Sequence, residues 1–285
     1  MSLKRENNYE GKTPLLYMVA TPIGNVEEFS PRALKVLNEM DYIACEDTRN
    51  SGALFAKFNI KKPLISCREF NENEKADEII GLLNDGKKVA YVSDAGYPGI
   101  SDPGQRLVAK AVASFIKVAV INGPNAGLCA LVASGLDTTH FTFEGFLPAK
   151  ESAAVKRLEE LKNWPHTLIF YEAPHRIDRT LELLKNAFGA DRKACIGREL
   201  TKIHEEYLRG TLGELCEIDP ETLRGEMVIV IEGKTISNEV TDDDIEESLK
   251  EALKSLSSKE AVKKVAEDTK TGKNRVYAVY LERFK

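Results

Sequence analysis

Residues 88–104 read KVAYVSDAGYPGISDPG. VAYV is an apolar, β-branched and aromatic run of the kind that forms a strand buried on both faces. The twelve residues after it, Ser93 to Gly104, hold three glycines, two prolines and two aspartates. Prolines lack a donor and glycines gain nothing from regular structure, so neither strand nor helix continues through them. A strand-to-helix connection usually takes about 2 to 6 residues, and longer ordered loops are more often functional. The stretch therefore predicts a buried strand opening into a pocket wall. Gly96 and Gly99 would let main-chain groups line a ligand there, and Asp94 would supply negative charge.

The same pattern recurs on both sides of it. LLYMVAT (15–21), YIACED (42–47), PLISC (63–67) and KVAVINGP (117–124) are near-continuous apolar runs. Between them lie helical stretches such as PRALKVLNEM (31–40), with an early proline, and EKADEIIGLLNDG (74–86), closed by glycine. This alternation predicts a mainly parallel α/β sheet. LDTTHFTFEGFLPAK (136–150) reads as an extended connector to a second set. That set comprises a helix at 151–162, strand TLIFYEA (167–173), a helix at 174–187, and strands KACIGREL (193–200), EEYLRGTL (205–212) and EMVIVIEG (226–233). Little helix separates the last two, so the second sheet is expected to be mixed. Beyond Gly233 come a polar linker and a helical tail, in which Ser257 and Glu260 fit a capping box and Gly272 sits where a helix-turn-helix would bend. The expected organisation is two α/β domains, 14–124 and 125–238, and a small helical tail, 239–285.

Composition sets the class. The chain has 285 residues, 42% hydrophobic and 30% charged, with a net charge of −5. Those are the proportions of a globular protein, and no apolar run nears the roughly 20 residues of a membrane helix. The N-terminal MSLKRENNYEGK has no apolar core, so no secretory signal is expected and the chain is expected in the cytosol. Cys45, Cys67, Cys129, Cys195 and Cys216 are odd in number and lack C-x-x-C spacing, which suits reduced thiols. His140, His166 and His204 are scattered without ligand spacing, so no metal is expected. Net acidity argues against coating nucleic acid by bulk charge, yet charge is uneven. Residues 239–251 carry seven acids against Lys250, whereas 258–285 carry eight bases against four acids.

Ligands of open α/β sheets sit beyond the carboxyl ends of the strands, which singles out four loops. ATPIGN (20–25) has one glycine where a dinucleotide fold has three. EDTR (46–49) brings two carboxylates and an arginine to a strand end. Its plain reading is Asp47 or Thr48 capping the next helix, with Arg49 paired to a neighbour. In SDAGYPGISDPG, Asp102 and Pro103 read as the N-cap and first residue of a helix. In NGPNAG (122–127), Asn125 reads as an N-cap. No G-x-x-x-x-G-K-[ST] run is present, so a pocket of carboxylates with few cations suits a ligand with a positive centre and hydroxyls better than a polyphosphate.

TPIGN (21–25), ACEDTRNS (44–51), VSDAGYPGISDPG (92–104), FTFEGFLPAK (141–150), LIFYEAPHRI (168–177) and RELTKIHEE (198–206), in this order, resemble the ribosomal RNA small subunit methyltransferase I family. That family belongs to the tetrapyrrole methylase-like, class III S-adenosylmethionine methyltransferases. The resemblance spans residues 14–233. Tyr97 departs from the family's usual threonine, and NGPNAG replaces a common GPSA.

The resemblance implies two α/β domains with S-adenosyl-L-methionine in the cleft between them, a homodimer, and methylation of a cytidine ribose 2'-hydroxyl in the decoding region of small-subunit ribosomal RNA. The substrate is naked RNA or the assembled small subunit. Carried over by motif, Pro22, Gly24, Ser93, Asp94, Ala95, Gly96, Ile100, Asn125 and Ala126 face the cofactor from the first domain. Tyr171, Glu172, Gly225 and Glu226 do so from the second. A sulfonium beside Asp94 and Glu172 makes electrostatic sense. Candidates to orient the hydroxyl and take its proton are Glu46, Asp102 and Lys202, with His175 and Glu199 beside them. Arg49, His175, Arg176 and Arg198 are candidate RNA contacts, although each arginine could equally be paired with a nearby acid. Two alternatives stay open: a tetrapyrrole methylase of the same fold, and a non-catalytic RNA-binding module acting through the basic tail.

Overall fold

The structure, a computed structural model, describes residues 5, 7, 8, 10, 14–234 and 241–285. The expected boundary at 238/239 and most of the polar linker lie outside the described residues. Residues up to Lys234 form one unit and the tail another.

In the first unit, β1 (Leu15–Val19), β2 (Tyr42–Cys45), β3 (Leu64–Ser66), β4 (Val89–Val92) and β5 (Lys117–Ile121) form a five-stranded sheet in the order β3-β2-β4-β1-β5. Every pairing in it is parallel. All four residues of β4 are buried because helices cover both faces. Leu16, Met18, Val89 and Tyr91 pack beneath α3 (Glu72–Asn84) and α4 (Gln105–Ala113). Val19, Ile43, Ala90 and Val92 pack on the opposite face with α1 (Pro31–Glu39) and α2 (Thr48–Lys57). This is why the strands read as unbroken apolar runs rather than as alternation. Local caps start the helices. Ser30 Oγ accepts the Ala33 amide with Pro31 in the first turn of α1, and Asp47 accepts the Arg49 amide at α2.

The second sheet has the order β6-β7-β10-β8-β9, built from β6 (Phe141–Phe146), β7 (Thr167–Glu172), β8 (Lys193–Arg198), β9 (Glu206–Thr211) and β10 (Met227–Ile231). It is mixed as expected. β6 runs parallel to β7, whereas β10 is antiparallel to both β7 and β8, and β9 to β8. α5 (Ala126–Ser134) covers one face through Ala130 and Leu131. The other face carries α6 (Glu151–Leu161), α7 (Ile177–Phe188) and α8 (Leu212–Cys216), around Leu158, Phe170, Leu181 and Ile229.

Three expectations are corrected. The stretch 136–150 is no mere connector, for residues 141–146 are the edge strand β6. Its half-exposed residues hid the usual strand signal. The helix expected from 174 begins with a 3-10 turn, Pro174–Arg176, and is α-helical only from Ile177. Asp102 does not cap the next helix. α4 starts at Gln105 with Gly104 as N-cap at φ +131. Its first amides go instead to Glu72, whose Oε1 accepts from Gly104, Arg106 and Leu107 at 3.0, 2.9 and 3.2 Å.

The tail is three helices, α9 (Asp242–Ala252), α10 (Ser258–Asp268) and α11 (Lys273–Phe284), around Ile245, Leu249, Val262, Val265, Val276 and Val279. Ser257 and Glu260 form the expected capping box, and Gly272 is the N-cap of α11. Acidic and basic islands meet inside the tail. Arg275 pairs with Asp242 at 2.8 Å, and Arg283 with Glu246 at 2.8 Å and Asp243 at 3.3 Å. Among the described residues all five cysteines are free thiols. No helix of the described residues is long and apolar enough to cross a membrane.

Candidate functional site

The loops beyond β1 and β4 are tied together past the strand ends. The Thr21 amide donates to the Gly96 carbonyl at 3.0 Å, and the Gly96 amide returns a bond to the Thr21 carbonyl at 3.1 Å. Thr21 Oγ1 donates to Ser93 O, and Ser93 Oγ donates to Gly96 O. Gly96 sits at φ +73, a conformation that side chains disfavour, and so turns the chain inside one bridge. The second half of the unit closes on this structure from the other side. A Cβ on Gly24 would fall 2.6 Å from Lys202 Cγ and 2.9 Å from Thr201 Oγ1, and the Asn25 amide donates to Thr201 Oγ1 at 3.1 Å.

Between them lies a cavity of about 270 Å³. Of the residues singled out in the sequence, Asp94, Ala95, Gly96, Ile100, Asp102, Asn125, Ala126, Tyr171, Glu172 and Glu226 line it. Pro22, Gly24, Ser93 and Gly225 do not, but shape the backbone behind it. The buried Ser93 ties the loop, and Gly225, at φ +81, leaves room for the Glu199 carboxyl. Sequence reasoning missed Ile23, Tyr97, Ser101, Phe146, Ala173, Leu200, Met227 and Val228, all of which line the cavity. Ile23, Tyr97, Ser101, Phe146, Ala173 and Leu200 fall within quoted motifs, so proximity to the motif residues was the available signal. Tyr97, at the departure from the family pattern, accepts the Gly123 amide at 3.3 Å and so ties its loop to NGPNAG.

The described lining residues include no lysine, arginine or histidine, but four acids. Asp94 accepts from Asn50 Nδ2 at 2.6 Å and from the Asp47 amide at 3.3 Å. Glu172 is spent internally. Its carboxylate accepts from Thr180 Oγ1 at 2.6 Å and from the Ala173 amide at 2.8 Å, with Arg176 Nε 3.4 Å away. Asp102 carries the unusual chemistry. Burial, then the charges of Glu46, Asp94 and Glu226, push its carboxyl up to about 7 against the pull of the Ser93 hydroxyl. Glu46 is raised too, first by burial and then by Asp94. The cavity therefore holds excess negative charge beside a carboxyl poised between its two forms at neutral pH. Such a site can receive a cationic centre and accept a proton.

The remaining candidates lie outside the lining. Lys202 Nζ pairs with Glu199 Oε1 at 2.9 Å, and this pairing holds the Glu199 carboxyl below its usual range. Arg49 is exposed and pairs with Asp47 at 2.6 Å, which holds that carboxyl well below the usual range. Arg198 pairs with Glu206 at 2.6 Å, and Arg176 donates to Leu147 O at 2.9 Å beside Glu172. His175 is exposed. Among the described residues no group of acids, histidines and cysteines has the arrangement of a metal site.

Residues 15–216 match the family Tetrapyrrole (Corrin/Porphyrin) Methylases. Ribosomal RNA small subunit methyltransferase I of Synechocystis is 42% identical, with 94% of this chain and 98% of that protein covered. The protein of that name from Bacillus subtilis is 41% identical, with 98% of each chain covered. Among solved structures, the Thermus thermophilus uroporphyrin-III-C-methyltransferase superposes with TM-score 0.56 at 20% identity, over 78% of this chain and 94% of that one. A cobalt precorrin-4 methyltransferase gives TM-score 0.58 at 17% identity, over 76% and 94%. These two share the fold: an α/β pair, one sheet parallel and one mixed. In sequence along nearly its whole length, the chain belongs to the ribosomal RNA small subunit methyltransferase I family, within the tetrapyrrole methylases.

Proposed function

We propose that the chain is a cytoplasmic homodimer that uses S-adenosyl-L-methionine to methylate the ribose 2'-hydroxyl of a cytidine in the decoding region of small-subunit ribosomal RNA, without a metal. The observation that carries the reading is the cavity itself, whose described lining holds four acids, Asp102 among them, and no basic side chain. The cavity fits the cofactor: Gly96 and Asp94 offer backbone and a carboxylate, and a sulfonium offsets the excess negative charge. When bound, that cofactor supplies an electrophilic methyl on sulfur. Asp94, Ala95, Gly96, Ile100, Asn125, Ala126, Tyr171, Glu172 and Glu226 would hold it, with Pro22, Gly24, Ser93 and Gly225 shaping the wall.

A ribose hydroxyl is a weak nucleophile whose proton must leave during or after transfer. Ionised Asp102 would orient that hydroxyl and take its proton as the ribose oxygen accepts the methyl. Glu46 acts through its charge, which raises the proton affinity of Asp102. Lys202, on the loop that packs on Gly24, completes the catalytic set. Arg49, His175, Arg176 and Arg198 are proposed to meet the RNA, the arginines by exchanging their carboxylates for phosphate. Leu128 and Val132, exposed one turn apart on α5, offer an apolar strip for the second protomer. The domain limits 14–124, 125–238 and 239–285 belong to the same proposal.

The test is incubation with methyl-labelled cofactor and, separately, naked small-subunit RNA, unmodified small subunits and uroporphyrinogen. Label in either RNA substrate, mapped to a cytidine 2'-oxygen, is expected. Label only in the macrocycle overturns the reading. Sedimentation checks the dimer.

A further inference from the structure

Phe146 lines the cavity and yet is 51% exposed, a large apolar ring at the mouth of an acidic site. A β-bulge puts it there. β6 pairs with β7 from Phe141 opposite Thr167 to Phe143 opposite Ile169, then slips so that Gly145 faces Phe170 and Phe146 faces Tyr171. A bulge bends its strand and re-aims the side chains that follow. Gly145 takes φ +67 at the slip, and a Cβ there would come within 3.0 Å of Ser101 Oγ. The edge of the second sheet thus seats on the loop beyond β4. The contact lies one residue from Phe146 on β6 and one residue from Asp102 on that loop.

The ring is braced from beneath. Phe146 and Phe143 both meet Tyr171 edge-on, with centroids 5.7 and 5.0 Å away and planes at 71° and 77°. The Tyr171 hydroxyl accepts the Gly127 amide at 3.2 Å, which fixes the brace to α5. Across the mouth, Ile100 also lines the cavity and is 46% exposed. Two apolar groups flank the opening of a cavity that Asp102 also lines, and one of them is an aromatic ring.

We propose that Phe146 is the platform on which the base of the target nucleotide stacks, the nucleotide having left any helix so that its ribose reaches Asp102. This deepens the proposed RNA methylation and rests on it. Paired RNA shows its 2'-hydroxyls only along a shallow groove, so a nucleotide that leaves the stack carries its 2'-oxygen deepest into a cavity. An aromatic face then replaces part of the stacking given up, without reading the identity of the base.

The experiment compares Phe146→Ala, Phe146→Leu and Phe146→Trp with the unaltered protein. It measures KM and kcat on small ribosomal subunits lacking the modification, S-adenosylmethionine Kd by calorimetry, and Tm. Stacking predicts that Ala and Leu raise the RNA KM by roughly tenfold or more while Trp stays near normal. Cofactor Kd should be unchanged in all three, and Tm should fall by only a few degrees in Phe146→Ala, since half the ring is exposed. Equal KM in all variants of an active enzyme overturns this inference alone. So does a weakened cofactor Kd in Phe146→Ala, which would assign the ring to the cofactor. An unaltered protein that labels no RNA overturns the underlying reading and this inference together.

Discussion

Thr21 and Gly96 exchange two main-chain hydrogen bonds, of 3.0 and 3.1 Å, across the ends of neighbouring parallel strands. The pair makes one rigid wall of two loops that the sequence separates widely. Gly96 can join it because φ +73 carries no side-chain penalty.

Gly96→Val should therefore destabilise the fold by about 1–3 kcal/mol, a β-branched residue being poorly tolerated there. It should also weaken cofactor binding beyond that loss of stability. Asp94→Asn keeps shape and Asn50 contact while removing charge, and should weaken cofactor binding with little change in Tm. Calorimetry beside thermal melts separates the two, and unchanged affinity in folded Gly96→Val would reduce the loop to a turn.

Asp102 links activity and stability to pH in opposite directions. As the proton acceptor it must be ionised, so kcat should rise through about pH 7 in the unaltered protein, and Asp102→Asn should abolish that limb with a loss of about 10²- to 10⁴-fold. Its folded-state pKa is raised above the unfolded value, so folding is favoured while it is protonated and stability falls as pH climbs from about 4 to about 7. Asp102→Asn should then be near neutral for stability at pH 4. At pH 8 it should be stabilising by about 1–2 kcal/mol after allowance for partial exposure. Denaturant melts at both pH values check the sign.

Glu72 is buried, and three amides at the start of α4 depend on its one oxygen. Glu72→Ala should cost about 2–4 kcal/mol, from lost charge-assisted bonds and amides left dry. Because Gly104 ends the loop that begins at Ser93, cofactor affinity should fall as well. Glu72→Gln, which can still accept, should lose less on both counts. Equal losses would show that charge rather than acceptance matters.

In the tail, Arg275 and Arg283 are paired with acids of α9. The lysines at 259, 264, 270 and 273 make no such ion pair among the described residues and are exposed. Changing these four to Gln should weaken association with small-subunit RNA and flatten its dependence on log salt by about 2 to 4 units. Cofactor affinity should not change. Filter binding from low to high salt measures the slope, and an unaltered slope would remove the tail from RNA contact.

Much of the local structure was legible because its causes are local. Ser30, Asp47, Asn125 and Ser257 cap helices through bonds that reach only two or three residues ahead, so residue type and spacing reveal them. Doubly buried strands such as β4 read as apolar runs whatever their neighbours. β6 escaped that logic, as an edge strand whose residues are partly exposed.

The sequence by itself determined the two α/β sets, the helical tail and a carboxylate-bearing loop beyond β4. Only the tertiary structure decided that Glu72, thirty-two residues before Gly104, caps α4 in place of Asp102. It also decided that Glu172 spends its charge on Thr180 and Arg176, and that the bulge at Gly145 turns Phe146 to the cavity mouth. The poise of Asp102 is of the same kind. It needs burial together with Asp94 of its own loop and with Glu46 and Glu226, brought from two others. Capping is set by chain geometry over a few bonds, whereas desolvation and charge coupling depend on distance through space, which residue order does not encode.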